Sequence, residues 1–444
     1  MSRIALIGEN SIAYINALLD IWNNGDCAVL IDWRIPLITA TEMMKEAGVS
    51  ECYIQKSILE KSSKMRSDDI KYVAFDPNIV AELLPDNIRN KFTENYSKDD
   101  AVVIYSSGTT GKSKGIILSH YAINKNADAI IDYMRPQKND CMYIVKTLSH
   151  SSTLTGELLV ALKSGMNLLV SPTIVPPRYI FNNICEHQVS IACVNPTLLN
   201  MYANEYKQRK CDISCLKKIY VSGSILNDKT HELAREVFKG IPIYNVYGLS
   251  EAGPRVTAQR ADCCKGNSVG KPIKFVGLVI VDENGKIVKN GERGIIHINT
   301  PCRFSGYVLG EEKNKSLYKG WLNTGDIGHF DNNEELHIID RLDDVIIIDS
   351  HKIYPSEVER KIIDNTPIRE CVVVKEEINN NEFLACLYAG DCHSAKMIKE
   401  KLKNFLLPCE IPRRFIHTNT IPRTNNGKIS KTQIKNIIKN IILE

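Results

Sequence analysis

The stretch YSSGTTGKSKG, residues 105–115, gathers the side chains that a polyphosphate would need. Ser106, Ser107, Thr109 and Thr110 bring hydroxyls, and Lys112 and Lys114 bring positive charge. Gly108, Gly111 and Gly115 let the backbone take positive φ and carry its N–H groups close to an anion. Two loop types fit. The tail Gly111-Lys112-Ser113 matches the end of the G-x-x-x-x-G-K-[ST] phosphate loop of kinases and ATPases, but Ser106 stands where that pattern opens with glycine. The alternative is a different loop with a similar task. A plain Ser/Thr/Gly-rich surface turn is the third reading, and four hydroxyls, three glycines and two lysines together speak against it.

Four further stretches follow in order, each setting a charged group beside glycine or a turn: YGLSEAG (247–253), NTGD (323–326), DRLDD (340–344) and IPRTNNGK (421–428). Taken singly, each has a plain explanation. Glu251 with Ser250 suits the first turn of a helix, Asp326 and Arg341 suit solvated turns, and Lys428 suits a basic tail. The order of the five stretches is what must be explained.

The elements that would position them follow from apolar periodicity. RIALIG (3–8), a helical stretch to about Trp22 and CAVLID (27–32) form a β-α-β unit. AVVIY (101–105) is a buried strand before the glycine loop, and IILSHYAINKNADAIIDY after it carries helix-like periodicity. Short apolar strands alternate with amphipathic helices to about residue 250, which predicts an α/β fold with largely parallel sheets. From about 268 to 340 the texture turns β-rich, with an Asn-Gly hairpin signal in GLVIVDENGKIV. After a boundary at Asp340–Asp344 a compact α+β segment follows: VIIID, a helix beginning near Pro355, CVVVK, FLACLYA, then helices to the end. A large domain 1–341 and a small one 342–444 are expected, since 444 residues exceed one ordinary core.

Composition excludes several classes. The chain is 43% hydrophobic and 24% charged, as globular proteins are. Its net charge of +4 does not imply nucleic acid, and without a run of 18 apolar residues no membrane span is expected. Fourteen cysteines, with no C-x-x-C pair and no zinc-ligand spacing, predict reduced, mostly buried thiols and a cytoplasmic protein. Residues 396–444 carry eleven Lys or Arg against three Glu, a local +8 that suits an acidic partner.

The ordered set of five motifs resembles the adenylate-forming superfamily of acyl- and aryl-CoA ligases, peptide-synthetase adenylation domains and luciferases. The resemblance runs from about Arg3 to Lys428, and it accounts for five motifs where the P-loop reading accounts for one. It implies that a carboxylate attacks the α-phosphate of ATP to give an acyl adenylate and pyrophosphate. It further implies that Ser106, Ser107, Gly108, Thr109, Thr110, Gly111, Lys112 and Lys114 wrap the β- and γ-phosphates. Glu251, with Thr110, would hold Mg²⁺. Gly223, Ser224 and Tyr247 would lie against adenine, Asp326 would accept both ribose hydroxyls, and Arg341 would bridge ribose and phosphate. Lys428, on the mobile C-terminal domain hinged near Asp343, would reach the reacting oxygens. In the acyl pocket the resemblance places His150, at the gate of a helix within 146–170, and Gly248.

Two departures accompany it. Many CoA ligases have two glycines just before the helix signature KIYPSEVE (352–359), where this chain has Asp349-Ser350, which would crowd a pantetheine channel. The glycine loop also begins near 105, so a shortened N-terminal subdomain is expected. Around Leu148-Ser149-His150-Ser151 no carboxylate is present to pair an α-ammonium group, which favours a fatty, aryl or other simple acid over an α-amino acid. The resemblance implies a thiol acceptor, with CoA, favoured by the KIYPSEVE signature, slightly ahead of the phosphopantetheine of an acyl carrier protein. A P-loop kinase or ATPase and a non-catalytic nucleotide-binding scaffold are the remaining alternatives.

Overall fold

The structure is a computed structural model. It describes residues 1–444 except 62–66, 107–112, 261–266, 311–316, 319, 349–350, 379–380, 424–428 and 444. The chain divides into two compact units: residues 1–226, 230–278 and 298–322 form the first, and residues 227–229, 279–297 and 323–444 the second. The line falls inside the β-rich segment, so residues 279–297 and 323–340 belong with the C-terminal part.

The first unit contains two large sheets. In one, β1 (Arg3–Ile7), β2 (Cys27–Ile31), β3 (Glu51–Gln55) and β4 (Lys71–Phe75) are joined by parallel pairing, and β6 (Asp100–Ser106) continues it beyond β2. All five residues of CAVLI are buried, as a parallel strand covered on both faces requires. Ser11 caps the helix Ile12–Asn23 by accepting from Tyr14 N–H at 3.1 Å, which completes the expected β-α-β unit. In the other sheet β8 (Cys141–Ile144), β9 (Asn167–Val170), β10 (Ile191–Val194), β11 (Lys218–Val221) and β12 (Ile243–Tyr247) are parallel. Antiparallel strands finish its edges: β5 (Glu82–Leu83) pairs with β9, and β13 (Thr257–Ala258) and β14 (Lys271–Pro272) follow β12.

One expectation is corrected. The segment after the glycine loop is a strand, β7 (Lys114–Ser119), antiparallel to β6, and the helix begins only at His120. Ile116 and Leu118 are completely buried, and Ser119 ends the strand by accepting from Ala122 N–H at 3.1 Å. The loop therefore bridges a hairpin, with Ser106 opposite Lys114 in the register. A P-loop leads from a strand into a helix N-terminus, so the hairpin removes the structural basis of that reading.

In the second unit, the hairpin signal at 284–285 is realised, with Val281 bridged to Ile287 and Gly285 at φ +77. The terminal sheet orders β23 (Glu370–Ile378), β24 (Asn381–Ala389) and β25 (Arg414–Thr418); β25, a strand not expected from the sequence, lies parallel to β24. Alternation sorts its two faces. Cys371 and Val373 pack with Val358, Ile362, Ile398 and Leu402 of the helices Pro355–Asn365 and Ala395–Leu402. Val372 and Val374 pack with Ile434 and Ile438 of the helix Lys431–Leu443.

Glu359 lies on the first of these helices and accepts from Val373 N–H at 2.8 Å. Part of the residue reaches solvent while its carboxyl is enclosed, and burial pushes that carboxyl up to about 8. Its proton is thus held more tightly in the folded chain than in the unfolded one, where a Glu titrates near ~4.3. Stability from this group is full below the unfolded value and is lost as pH rises to about 8. Urea unfolding measured across that interval should show stability falling with pH, and Glu359→Gln should flatten the fall.

Candidate active site

Because β8, β10, β11 and β12 are parallel, their C-terminal ends open along one edge of the sheet. In such sheets ligands bind in the crevice at that edge. Four segments emerge there: Lys146–His150, Asn195, Gly223–Ser224 and Tyr247–Glu251. Gly223 has φ +102, which only glycine adopts without strain, and Gly223 and Ser224 are exposed. Asn195 turns the chain away from the edge by capping the next helix through a 2.8 Å bond from Leu198 N–H. From the first sheet Asn10 reaches across: its Nδ2 donates to Lys146 O at 2.8 Å and its Oδ1 accepts from Leu148 N–H at 2.9 Å.

His150 precedes a short helix, Ser151–Thr153, and is half-buried, with its carbonyl accepting from Thr153 and Leu154 N–H. The expected helix of 146–170 is shorter and irregular. It runs from Ser151 to Ser164, with Leu154–Leu159 as a π-helical turn, and residues 167–170 form β9. This segment does contain a carboxylate, Glu157, but an ion pair with Lys146 at 2.9 Å occupies it.

The turn after β12 carries Glu251 in a single 3₁₀ turn, Ser250–Ala252. Gly248 is required by packing, because a Cβ there would lie 1.8 Å from Pro254 O. Ser250 Oγ and Ser151 Oγ share a 2.7 Å hydrogen bond. The Tyr307 hydroxyl donates to Glu251 Oε1 at 3.1 Å, and Phe304 N–H donates to Glu251 O at 2.9 Å. Tyr307 belongs to β17 (Gly306–Tyr307), which pairs antiparallel with β7, and its ring sits 5.8 Å from Lys114 Nζ. Lys114, Tyr307 and Glu251 thus form one continuous group. A carboxylate steadied by a neutral hydroxyl donor is a suitable ligand for a hard divalent cation such as Mg²⁺.

β19 (Trp321–Phe330), in the second unit from residue 323 onward, pairs with β20 (Leu336–Arg341) so that Asp326 stands opposite Arg341. Arg341 Nη1 donates to Asp326 Oδ1 at 2.8 Å and to Thr324 O at 3.3 Å. Asp326 is buried, and Gly325, at φ +69, leaves room for the guanidinium. Asp340 accepts from Arg341 N–H at 2.9 Å and from Ser356 N–H at 2.8 Å, capping the helix Pro355–Asn365 from a distance. Burial raises its carboxyl above the usual range. Asp343 is exposed in the 3₁₀ turn Leu342–Asp344, and its neighbour Asp344 pairs with Lys431 at 2.8 Å.

Ser107, Gly108, Thr109, Thr110, Gly111, Lys112 and Lys428 lie outside the described residues, as do Asp349 and Ser350. Two contributors had no sequence signal of their own. Asn10 sits in an ordinary strand-to-helix link, and Tyr307 in a strand of two residues. The twelve described cysteines are all free, and among the described residues no helix is long and apolar enough to cross a membrane.

The model of the AMP-binding enzyme family matches residues 1–308, and the chain belongs to that family. It is an adenylate-forming enzyme, an AMP-forming acid–thiol ligase. It is 24% identical to the indoleacetate–CoA ligase of Aromatoleum aromaticum, over 98% of this chain and 88% of that protein. It is 26% identical to the 4-coumarate–CoA ligase of Vanilla planifolia, over 97% of this chain and 83% of that protein. Among solved structures, ATP-bound MatB from Rhodopseudomonas palustris aligns with a TM-score of 0.88 at 20% identity, covering 99% of this chain and 89% of that one. The Bacillus subtilis o-succinylbenzoate CoA synthetase with its acyl-adenylate intermediate aligns with a TM-score of 0.83 at 22% identity, covering 98% and 88%. These likenesses agree with the α/β architecture.

Tyr307→Phe removes the hydroxyl from Glu251 but keeps the ring beside Lys114. A hydrogen bond to a charged group is worth about 1.5–3 kcal/mol. Pyrophosphate–ATP exchange should therefore need about tenfold more Mg²⁺ for half-maximal rate, as a Mg²⁺ titration of the variant will measure.

Proposed function

We propose that this protein joins an aromatic or arylalkanoic acid to CoA through an acyl adenylate. The observation that carries the proposal is agreement among relatives aligned over nearly the whole chain, which are named as CoA ligases for indoleacetate, 2-succinylbenzoate and 4-coumarate and as a feruloyl-CoA synthase. The site supports it. Glu157 is already neutralised by Lys146 and does not await a substrate ammonium group, so an acid without an α-amino group fits.

In the first half-reaction a carboxylate oxygen of the acid bonds to the α-phosphorus of ATP. The bond from that phosphorus to the bridging oxygen breaks, and pyrophosphate leaves. Two anions must meet, so positive charge at the site lowers the barrier. Lys114, together with the glycine loop, holds the β- and γ-phosphates, and Lys428 stabilises charge shifting onto the α-phosphate oxygens. Arg341, aligned by Asp326 and Thr324 O, supplies a fixed fork toward ribose and phosphate. Gly223, Ser224 and Tyr247 form the platform for adenine at the sheet edge, and His150 and Gly248 border the acid. When bound at Glu251, Mg²⁺ would neutralise phosphate charge during the displacement. In the second half-reaction the thiolate of CoA attacks the acyl carbon, and AMP departs with the electron pair of the acyl–phosphate bond. Residues 342–444, turning about a hinge at Asp343, would present the basic residues 396–444 to the phosphates of CoA.

The test is carboxylate-dependent exchange of labelled pyrophosphate into ATP over a panel of aryl, fatty and amino acids, followed by a CoA product assay beside a phosphopantetheinylated carrier protein. Exchange with aryl acids and an aryl-CoA product are expected. ADP as product, or exchange with no acid, would overturn the proposal, and transfer to the carrier alone would reassign the acceptor. Lys428→Ala should lower the exchange rate on the order of 10²–10³-fold while leaving ATP binding, measured by calorimetry, nearly unchanged.

A further inference from the structure

Deep in the first unit lies a group of charged side chains that the reaction as described does not use. Lys146 Nζ and Glu157 Oε1 pair at 2.9 Å, with the Glu157 side chain 0% exposed and that of Lys146 11%. Arg255, 3% exposed, closes the group. Its guanidinium rests on the π-helical turn, since a Cβ added to Gly156 would meet Arg255 Nη2 at 3.2 Å. Burial pushes the Glu157 carboxyl up, and the charges of Lys146 and Arg255 draw it back. Two buried charges and a third largely enclosed one are a poor source of stability, because desolvating them offsets most of their attraction, and apolar side chains of similar volume commonly hold such a place as well or better.

What charges add over apolar packing is a defined geometry, and the surroundings show what that geometry fixes. The Arg255 backbone is held on both sides by Asn126, whose Oδ1 accepts from Arg255 N–H at 3.1 Å and whose Nδ2 donates to Arg255 O at 2.9 Å. Arg255 ends the turn that starts at Gly248 and carries Glu251. Ser250, within that turn, bonds to Ser151 at the head of the same helical segment. The turn is therefore fastened to one short helix at two points, Ser250 to Ser151 and Arg255 to Gly156–Glu157. The helix turns π-helical at Leu154, between the two points, and stays so through Leu159; such one-residue bulges commonly mark functional segments.

We propose that Lys146, Glu157 and Arg255 are positioning residues: an ion cluster that holds the Gly248–Arg255 turn, and with it the Glu251 carboxylate, at a fixed place against the π-helical segment. The proposal rests on the reading of Glu251 as the metal-holding carboxylate.

Arg255→Met is the primary test, since it leaves Lys146 and Glu157 as a balanced pair and so preserves the fold. Two readouts separate positioning from packing. Amide hydrogen exchange in peptides covering residues 248–256 should accelerate about tenfold as the turn loosens. The Mg²⁺ concentration for half-maximal pyrophosphate exchange should rise severalfold, while the KM for the acid stays within about twofold. Arg255→Lys, which keeps the charge, should recover part of both. The triple variant Lys146→Met, Glu157→Leu, Arg255→Met should regain the wild-type melting temperature but not its Mg²⁺ response.

Wild-type amide exchange of the turn in Arg255→Met, or a wild-type Mg²⁺ titration in the triple variant, would overturn the proposal. Glu251→Gln, measured alongside, keeps the two readings apart. If it leaves the Mg²⁺ titration unchanged, the metal assignment fails, and amide exchange of the turn still decides whether the cluster positions it.

Discussion

Pro254 O occupies the place where any side chain at residue 248 would have to be. This close approach of two backbone segments folds residues 248–254 back on themselves, and the rest of the first unit's site is arranged around the result. Glu251 is left on a turn of three residues that cannot hold its own position by helical hydrogen bonds. Its support comes from outside: Tyr307 on the carboxylate, Phe304 on the carbonyl, Ser151 beside Ser250, and Asn126 on the backbone of Arg255. Two partners come from β17 and the residues just before it and two from separate helices, so the turn is as rigid as the sheet and helices that send them.

The hairpin β6–β7 gives the glycine loop its own logic. A loop that enters a helix borrows the positive end of a helix dipole. A loop between antiparallel strands has no such dipole, and its positive charge must come from side chains and from N–H groups freed by glycine. That need matches the unusual richness of residues 105–115 in lysine, hydroxyls and glycine. The pairing of β17 with β7 then carries Tyr307 to the same place, so the loop's exit strand and the carboxylate turn are adjusted together.

Much of this architecture could be read before the structure. Parallel strands announced themselves as short, wholly apolar runs such as CAVLI, and the hairpin at Asn284-Gly285 by its turn chemistry. The motif order pointed to the AMP-binding family and to an acid–thiol ligase. The boundary at Ser119 was missed because a buried strand and the first turn of a helix share apolar residues, and only the capping bond separates them. The strand β25 was missed because RFIHT is short and half-polar, and it pairs with a strand 25 or more residues earlier. Tyr307 and the Lys146–Glu157–Arg255 cluster were out of reach for a different reason. Their meaning lies in contacts between residues far apart in the chain, such as Lys114 and Tyr307 or Glu157 and Arg255, and no local pattern records such contacts.

The second compact unit is discontinuous, and that has a consequence for how the chain acquires its shape. Residues 279–297 leave the ribosome before 298–322, yet several of their partners come later. Thr324 Oγ1 donates to Ile296 O at 2.9 Å, and Arg293 grips Glu357 with bonds of 2.9 and 3.0 Å. The early piece must therefore wait, its strand edge unpaired, until the C-terminal piece has been made. Closing such a loop costs entropy that grows only slowly with its length, but non-local pairing slows folding. During synthesis residues 279–297 form a segment whose protection depends on timing, and a fragment beginning at 323 would lack Ile296 and Arg293, the partners of Thr324 and Glu357.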